Sequence, residues 1–377
     1  MFYALYPTFD TTLYEKYERR NTGTDEILEL WKLTAGTRDP EGGTWEATYN
    51  SRILLQFDIS NLNSLLNSGT VSKSSTYYLS LRATQATDLP VNHSVEISAV
   101  SQSWSNGNGS YGDYPNITQG ASWRYRDGYF NDIGQRWITG SGFTSGTTGS
   151  YVSKSGGGTW YTGSGYSVTH TIYYSDPDFR VDVTDIVHKW LSGSIDNNGF
   201  IIKRTDVDEA SSTHLGSVKY FGKDTHTIFM PKLEAVWDSS TLSGTGSFVE
   251  VNNLDEPVIF VKNIKQSYKQ TEKARLRLTT RNKYPTRTYS TSSNFLTVNR
   301  LPTSSFYSVK DTVTELDIIP FDTSSTKISV DSRGNFFDLN MNAFLPERYY
   351  RILFKVQQEG GMVERIIDND TYFKVVR

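Results

Sequence analysis

The chain has 377 residues, 36% of them hydrophobic and 14% aromatic, with 24 Tyr, 19 Phe and 8 Trp; so many large rings build a sizeable core and exclude a fully disordered chain. Charge is close to balance, 38 Lys+Arg against 41 Asp+Glu, which gives no global case for nucleic acid or an anionic membrane as partner. With no cysteine, disulfides, thiolate catalysis and zinc–thiolate centres are excluded, and no stretch approaches the roughly 20 apolar residues of a membrane span.

The N-terminal residues, from Met1 to Pro7, lack a basic region followed by an apolar run, so the expectation is a protein made and assembled in a cytoplasm rather than secreted by its own signal. The first periodic segment is Arg52 to Ile59. Ile53, Leu55, Phe57 and Ile59 alternate with Arg52, Leu54, Gln56 and Asp58, which predicts a strand with one buried face. Tyr77, Leu79, Leu81 and Ala83 repeat the pattern, as do Val95, Ile97 and Ala99. One short helix is predicted from Thr184 to Gly193. Thr184 is placed to cap it, Asp185 suits the first-turn dipole and Gly193 the left-handed position after the last turn. Its face of Ile186, Val187, Trp190 and Leu191 is expected to dock on a sheet. Strands follow at Phe200–Ile202 and Leu233–Trp237.

Residues 103–170 interrupt this pattern. They are rich in Gly, Ser, Thr, Asn, Tyr and Trp and poor in aliphatics, and read as a long irregular insertion that serves a function or a partner. The rings Trp123, Tyr125, Tyr129, Phe130, Trp137, Trp160 and Tyr161 look exposed, and stack on sugars, anchor a protein interface or pack the loop itself.

Composition changes near residue 240. All 8 Trp and 24 of the 29 Gly precede residue 241, and the net charge is -7 before it and +4 after it. The small polar run from Asp238 to Ser247 reads as a linker, placing one domain at 1–238, the linker at 239–247 and a second domain at 248–377. Beyond it, Val258–Val261, the alternation of Ala274, Leu276 and Leu278, and that of Tyr350, Ile352, Phe354 and Val356 predict a second β-sandwich. From Lys262 to Arg287 nine cations, among them Arg275, Arg277 and Arg281, are opposed in sequence only by Glu272. This is either a solvated sheet face or an electrostatic dock for an acidic partner, such as the first domain of a neighbouring copy.

No catalytic or cofactor motif has its required context. Gly107-Asn108-Gly109-Ser110-Tyr111-Gly112 matches a dinucleotide fingerprint but neither follows an apolar strand nor opens a helix. The five histidines, His93, His170, His188, His214 and His226, are not paired at metal-ligand spacing. Two acidic clusters, Asp176, Asp178, Asp182 and Asp185, then Asp206, Asp208 and Glu209, are calcium candidates by their oxygen ligands, with solvated turns as the alternative. The reading is therefore a non-enzyme without catalytic, cofactor-binding or metal residues, with polysaccharide hydrolysis as the weaker third alternative.

The series Ser51–Ser60, Tyr78–Ala83, Ser103-Trp104, Ala121–Arg124, Asp182–Gly193, Asn197–Phe200 and Met230–Leu233 resembles the DNRLRE-type β-sandwich module of secreted bacterial proteins and some phage virion proteins. The resemblance covers about residues 1–238 and implies a carbohydrate-binding or adhesive module, calcium occurring in related sandwiches. The long insertion departs from that pattern. Ile318–Asp322, Lys327–Phe337 and Pro346–Ile352 resemble, by general pattern, the C-terminal part of tailed-phage structural proteins. Together they imply an all-β, two-sandwich structural component of a tailed-phage virion, in neck, tail or baseplate. It would be present in several copies, assembled in the host cytoplasm, and would contact other virion proteins rather than nucleic acid or membrane. The candidate interface residues are Arg275, Arg277, Arg281, Trp123, Trp137 and Trp160. The alternative is a carbohydrate-binding adhesive module that recognises a host surface glycan.

Overall fold

A computed structural model describes residues 1–38, 44–129, 133–137, 147–149, 156–243, 248–251, 257–284, 299–357 and 364–377. Up to the short helix the strands are β1 (Phe2–Leu5), β2 (Pro7–Tyr14), β3 (Ile27–Arg38), β4 (Thr44–Phe57), β5 (Thr76–Leu81), β6 (Ala83–Thr87) and β7 (Asn92–Ala99). They continue with β8 (Tyr125–Tyr129), β9 (Ile133–Arg136), β10 (Thr147–Gly149), β11 (Thr159–Tyr161), β12 (Ser167–Tyr173) and β13 (Phe179–Asp182). After it come β14 (Phe200–Arg204), β15 (Gly216–Phe221), β16 (Lys232–Val236), β17 (Pro257–Val261), β18 (Ser267–Lys269) and β19 (Lys273–Asn282). The last are β20 (Ser305–Asp311), β21 (Asp317–Ile319), β22 (Ser329–Asp331), β23 (Gly334–Asn340), β24 (Arg348–Gln357) and β25 (Glu364–Val376). The fold is all-β, with helices α1 (Leu62–Asn67), α2 (Thr184–Leu191) and α3 (Asp206–Ala210). The helix expected from sequence is α2; α1 and α3, of six and five residues, accompany it.

By their contacts the residues divide into two units. One comprises Leu5–Thr70 and Thr76–Glu234; the other comprises Met1–Ala4, Val71–Ser75 and Ala235–Arg377. The short segments at residues 1–4 and 71–75 thus go with the C-terminal unit, whereas the sequence reading places both in the domain 1–238.

The first unit is organised by a curled sheet in the order β12-β7-β14-β4-β3-β15-β6, with β2 also paired to β4. Register fixes which side chains share a face. Opposite pairs Leu55–Phe200, Ile53–Ile202, Ala99–Phe200 and Ile97–Ile202 put the apolar row on one side of the sheet. Trp190 of α2 packs on Phe200 with ring centroids 4.6 Å apart, as the amphipathic pattern of the helix requires. The cap differs from expectation: Asp182 Oδ1 accepts from the Thr184 amide, while the Thr184 hydroxyl accepts from the Tyr77 amide. Gly193 has the expected positive φ of 71°.

The other side of the same strands is buried as well, contrary to the one-faced reading. Arg52, Leu54, Ile201 and Lys203 are all fully buried there. The cover comes from the described parts of the segment 103–170, which are not a structureless loop. They supply the hairpin β8–β9, the strand β11, and β12, which joins the main sheet by pairing with β7.

The second unit is a sandwich of two sheets, β17-β19-β23-β22 and β18-β25-β24-β20-β21. Its core is aromatic: Tyr307 stacks on Phe337 at 4.3 Å, and Phe337 meets Phe354 edge-on at 6.0 Å. Alternation along β19 buries Ala274, Leu276 and Leu278 and turns Lys273 and Arg275 outward, as read from sequence.

Candidate functional site

The tryptophans of the insertion are core residues. Trp123, Trp137 and Trp160 are buried in one cluster with Leu13, Leu54, Val100, Trp104, Ala121 and Ile201. Their expected exposure is therefore corrected: none of the three rings has a free face for a sugar or a partner protein. An aliphatic-poor segment of this length gains its burial from indoles instead, each covering a large area of the sheet beneath. Trp137 Nε1 donates to the Ser122 carbonyl at 2.9 Å and Trp104 Nε1 to the Asn198 carbonyl at 2.8 Å. Phe130 lies outside the described residues; Tyr125 is buried, and Tyr129 is 49% exposed.

Beneath the indoles lies a layer of buried charge. The Arg52 guanidinium sits between Trp123 and Trp160, 4.7 and 5.1 Å from their ring centroids. Its Nε and Nη2 donate to the two Glu209 oxygens at 2.9 and 2.6 Å, and Nη1 donates to the Gly157 carbonyl at 2.6 Å. Lys203 donates to Glu96 at 2.8 Å and Asp206 at 2.7 Å, and stands 5.0 Å from the Trp160 ring centroid. Lys32 donates to the Glu209 carbonyl at 2.8 Å, and Glu15 accepts from the Asn50 amide. Each cation of Arg52 and Lys203 thus meets a carboxylate, which offsets the cost of taking it out of water. Gly157, at φ 80°, lets the backbone approach: a Cβ there would lie 2.6 Å from Arg52 Nη1 and 2.8 Å from Trp123 Cζ2.

These contacts also reassign the acidic clusters. Glu209 and Asp206 serve the buried cations, and Asp178 binds Arg82 at 2.6 Å and the Ala83 amide at 2.6 Å. Among the described residues no group of three or more His, Asp or Glu is arranged to hold a metal ion. The glycine motif at 107–112 is likewise structural. The Asn21 side chain accepts from the Gly109 amide and donates to the Asn106 and Ala121 carbonyls, and a Cβ on Gly107 would lie 2.3 Å from its Oδ1.

The basic run of the second unit meets acids brought by non-local strands. Arg275 is paired bidentately with Asp338 at 2.8 and 3.1 Å, and Arg277 with Asp331 at 2.7 and 2.8 Å. Both guanidinium groups lie over the Phe336 ring, 4.3 and 5.3 Å from its centroid. The hydrogen bonds to Asp338 and Asp331 push both arginines upward in pKa, and Arg277 holds the Asp331 carboxyl below its usual range. Arg281 bonds the Asn282 carbonyl at 3.3 Å. The face is a network of both signs, not the one-signed surface that sequence order suggests.

One exposed apolar surface of this unit lies along β25. β25 pairs with β24 along its length, but on its other edge the described pairing is to β18 and only at Lys374–Val376. Alongside the stretch without a described strand partner on this edge run two grooves that meet at Asn369. One is walled by Val258 and Ile366, the other by Phe260 and Tyr372. Phe260, Ile366 and Tyr372 are 55%, 58% and 50% exposed. The Asn369 side chain donates to the Ile259 carbonyl and ties β25 to β17. Sequence reasoning missed this surface, because Ile366 and Tyr372 fall in a strand that carries no strict alternation.

No helix among the described residues is long and apolar enough to cross a membrane. Comparison with protein-family models, with curated proteins and with solved structures gives no match.

Proposed function

We propose that this chain is a structural component of a tailed-bacteriophage virion, in neck, tail or baseplate, acting through protein–protein contacts rather than catalysis. The observation that carries the reading is the exposed Phe260, Ile366 and Tyr372 about the tie between Asn369 and Ile259. Apolar and aromatic side chains gathered around grooves are what a partner's surface buries at the centre of an interface. The sequence resemblances supply the class of assembly, and the ordered charge of Arg275, Arg277, Asp331 and Asp338 suits a polar rim. A glycan-binding role loses its three tryptophans, which are core residues.

The test is quantitative mass spectrometry of density-purified particles from the source culture, read as copies of this chain per copy of major capsid protein. A fixed symmetric stoichiometry is expected. Absence of the chain from particles overturns the proposal.

A further inference from the structure

We propose that the interior of the first unit holds a small inorganic anion of halide size, bound by Arg204 with Tyr220 and His93. Four cations of the central sheet are almost fully buried: Lys32, Arg52, Lys203 and Arg204. Arg52 and Lys203 touch carboxylates, and Lys32 is bonded to a carbonyl within an acidic neighbourhood. Arg204 differs. Its Nη2 donates to the Leu215 and Gly216 carbonyls at 2.9 and 3.3 Å, but its Nε and Nη1 have no acceptor among the described residues. The side chain is 1% exposed, so water outside the fold does not reach these donors.

Two further buried groups near it are also without hydrogen-bond partners among the described residues. The Tyr220 hydroxyl is one, and both ring nitrogens of His93 are the other. Register places them together. Arg204 pairs with Val95, and His93 lies two residues along on the same face of β7, the diagonal position within reach of a long side chain. Arg204 Nη2 binds the start of β15, whose buried row Gly216, Val218 and Tyr220 continues along the interior. Phe179 closes over Tyr220 at 5.3 Å between centroids, with His170 6.2 Å from Phe179.

The chemistry selects an anion. Nε and Nη1 of a guanidinium can only donate, and the Tyr220 hydroxyl and a His93 N–H add donors to the same place. Asp208 and Glu209 act on Arg204 only through their charge, without a hydrogen bond to it: the Asp208 carboxylate accepts from Thr205 Oγ1 at 2.9 Å, and the Glu209 carboxylate is taken by Arg52. A water molecule would satisfy hydrogen bonds but bring no charge, leaving Arg204 with only the unbonded charges of Asp208 and Glu209. A halide does both, with a single atom that accepts from several donors at once.

The test uses the full chain. Thermal unfolding is followed at fixed ionic strength while bromide replaces methanesulfonate, and crystals grown in bromide are measured for anomalous scattering. The expected result is a melting temperature that rises with bromide and an anomalous peak beside Arg204 Nε and Nη1. Tyr220→Phe, which keeps the ring and the packing, should weaken the apparent bromide affinity about tenfold, the worth of one hydrogen bond to a charged group. Arg204→Gln should abolish the dependence. A halide-independent melting temperature with no anomalous peak means an ordered water only and overturns the proposal, as does an unchanged bromide dependence in Tyr220→Phe.

Discussion

Replacing His93 with Leu should change how the stability of the first unit responds to acid. Burial, and then the positive charge of Arg204, lower the His93 pKa from 6.5 to about 4, while Asp208 opposes the shift. Elsewhere in the same unit His170 is also lowered by burial. Above pH 6.5 the imidazole is neutral in both folded and unfolded chains. Between 6.5 and about 4 the unfolded chain binds a proton that the folded chain refuses, so stability is lost as pH falls, by at most about 3 kcal/mol. Asp10 acts in the opposite sense. Burial raises its pKa from 3.8 to about 7, the Lys223 amide and ammonium opposing, so its contribution is present below 3.8 and is lost as pH rises towards 7. Across pH 4–6.5 these two contributions run in opposite directions and offset one another in part. The His93→Leu variant should therefore gain stability relative to wild type on going from pH 7 to pH 4, and Asp10→Asn should lose it. Urea unfolding followed by tryptophan fluorescence at four pH values measures both. A constant difference between His93→Leu and wild type across this range, within about 0.5 kcal/mol, would refute the reasoning.

Arg52→Met should cost about 3–5 kcal/mol, because it leaves the Glu209 carboxylate buried without its partner, whereas Arg52→Met combined with Glu209→Leu should recover much of the loss; a double-mutant cycle by urea unfolding measures this. Gly157→Ala should destabilise by about 2 kcal/mol or more, since the added Cβ meets both Arg52 and Trp123 at a backbone with φ 80°, and a shift in urea midpoint reports it. Arg277→Glu should destabilise the second unit by about 1 kcal/mol rather than act only on a partner, because it sets two carboxylates against each other at Asp331; thermal unfolding at low and high salt should show the penalty shrinking with salt.

The strands were legible where one periodicity ruled. Ile53, Leu55 and Phe57 face the apolar layer as their alternation requires, and Ala274, Leu276 and Leu278 do the same in β19. The polar partners of those rows were misread because alternation alone implies solvent on the second side. Arg52 and Lys203 sit on that side and are fully buried, since the insertion supplies a cover and Glu209 and Glu96 supply the counter-charge. A signal for this was present: a segment with several indoles and few aliphatics has to bury them, and matched charges in adjacent strands can lie beneath. The ion pairs of Arg275 and Arg277 were not legible, because Asp338 and Asp331 are 63 and 54 residues away and only strand register brings them close.

The same contrast bears on how a partner could engage the second unit. The edge of β25 that is unpaired among the described residues carries devices that discourage strand pairing: Glu364, Arg365, Asp368 and Asp370 along it, a bulge where β24 opposes it between Ile352 and Leu353, and a positive φ of 49° at Asp370. A second strand added there would meet alternating charge and an irregular backbone. Phe260, Ile366 and Tyr372 are free of those obstacles, because they present side chains rather than main-chain groups. Under the proposed structural role, recognition by this unit would be docking of a folded partner surface onto rings and grooves, with the tie between Asn369 and Ile259 holding the two walls in place beforehand. Asn369→Ala should then weaken incorporation into an assembly while leaving the melting temperature of the second unit nearly unchanged, whereas a partner that added a strand to β25 would be insensitive to that side chain.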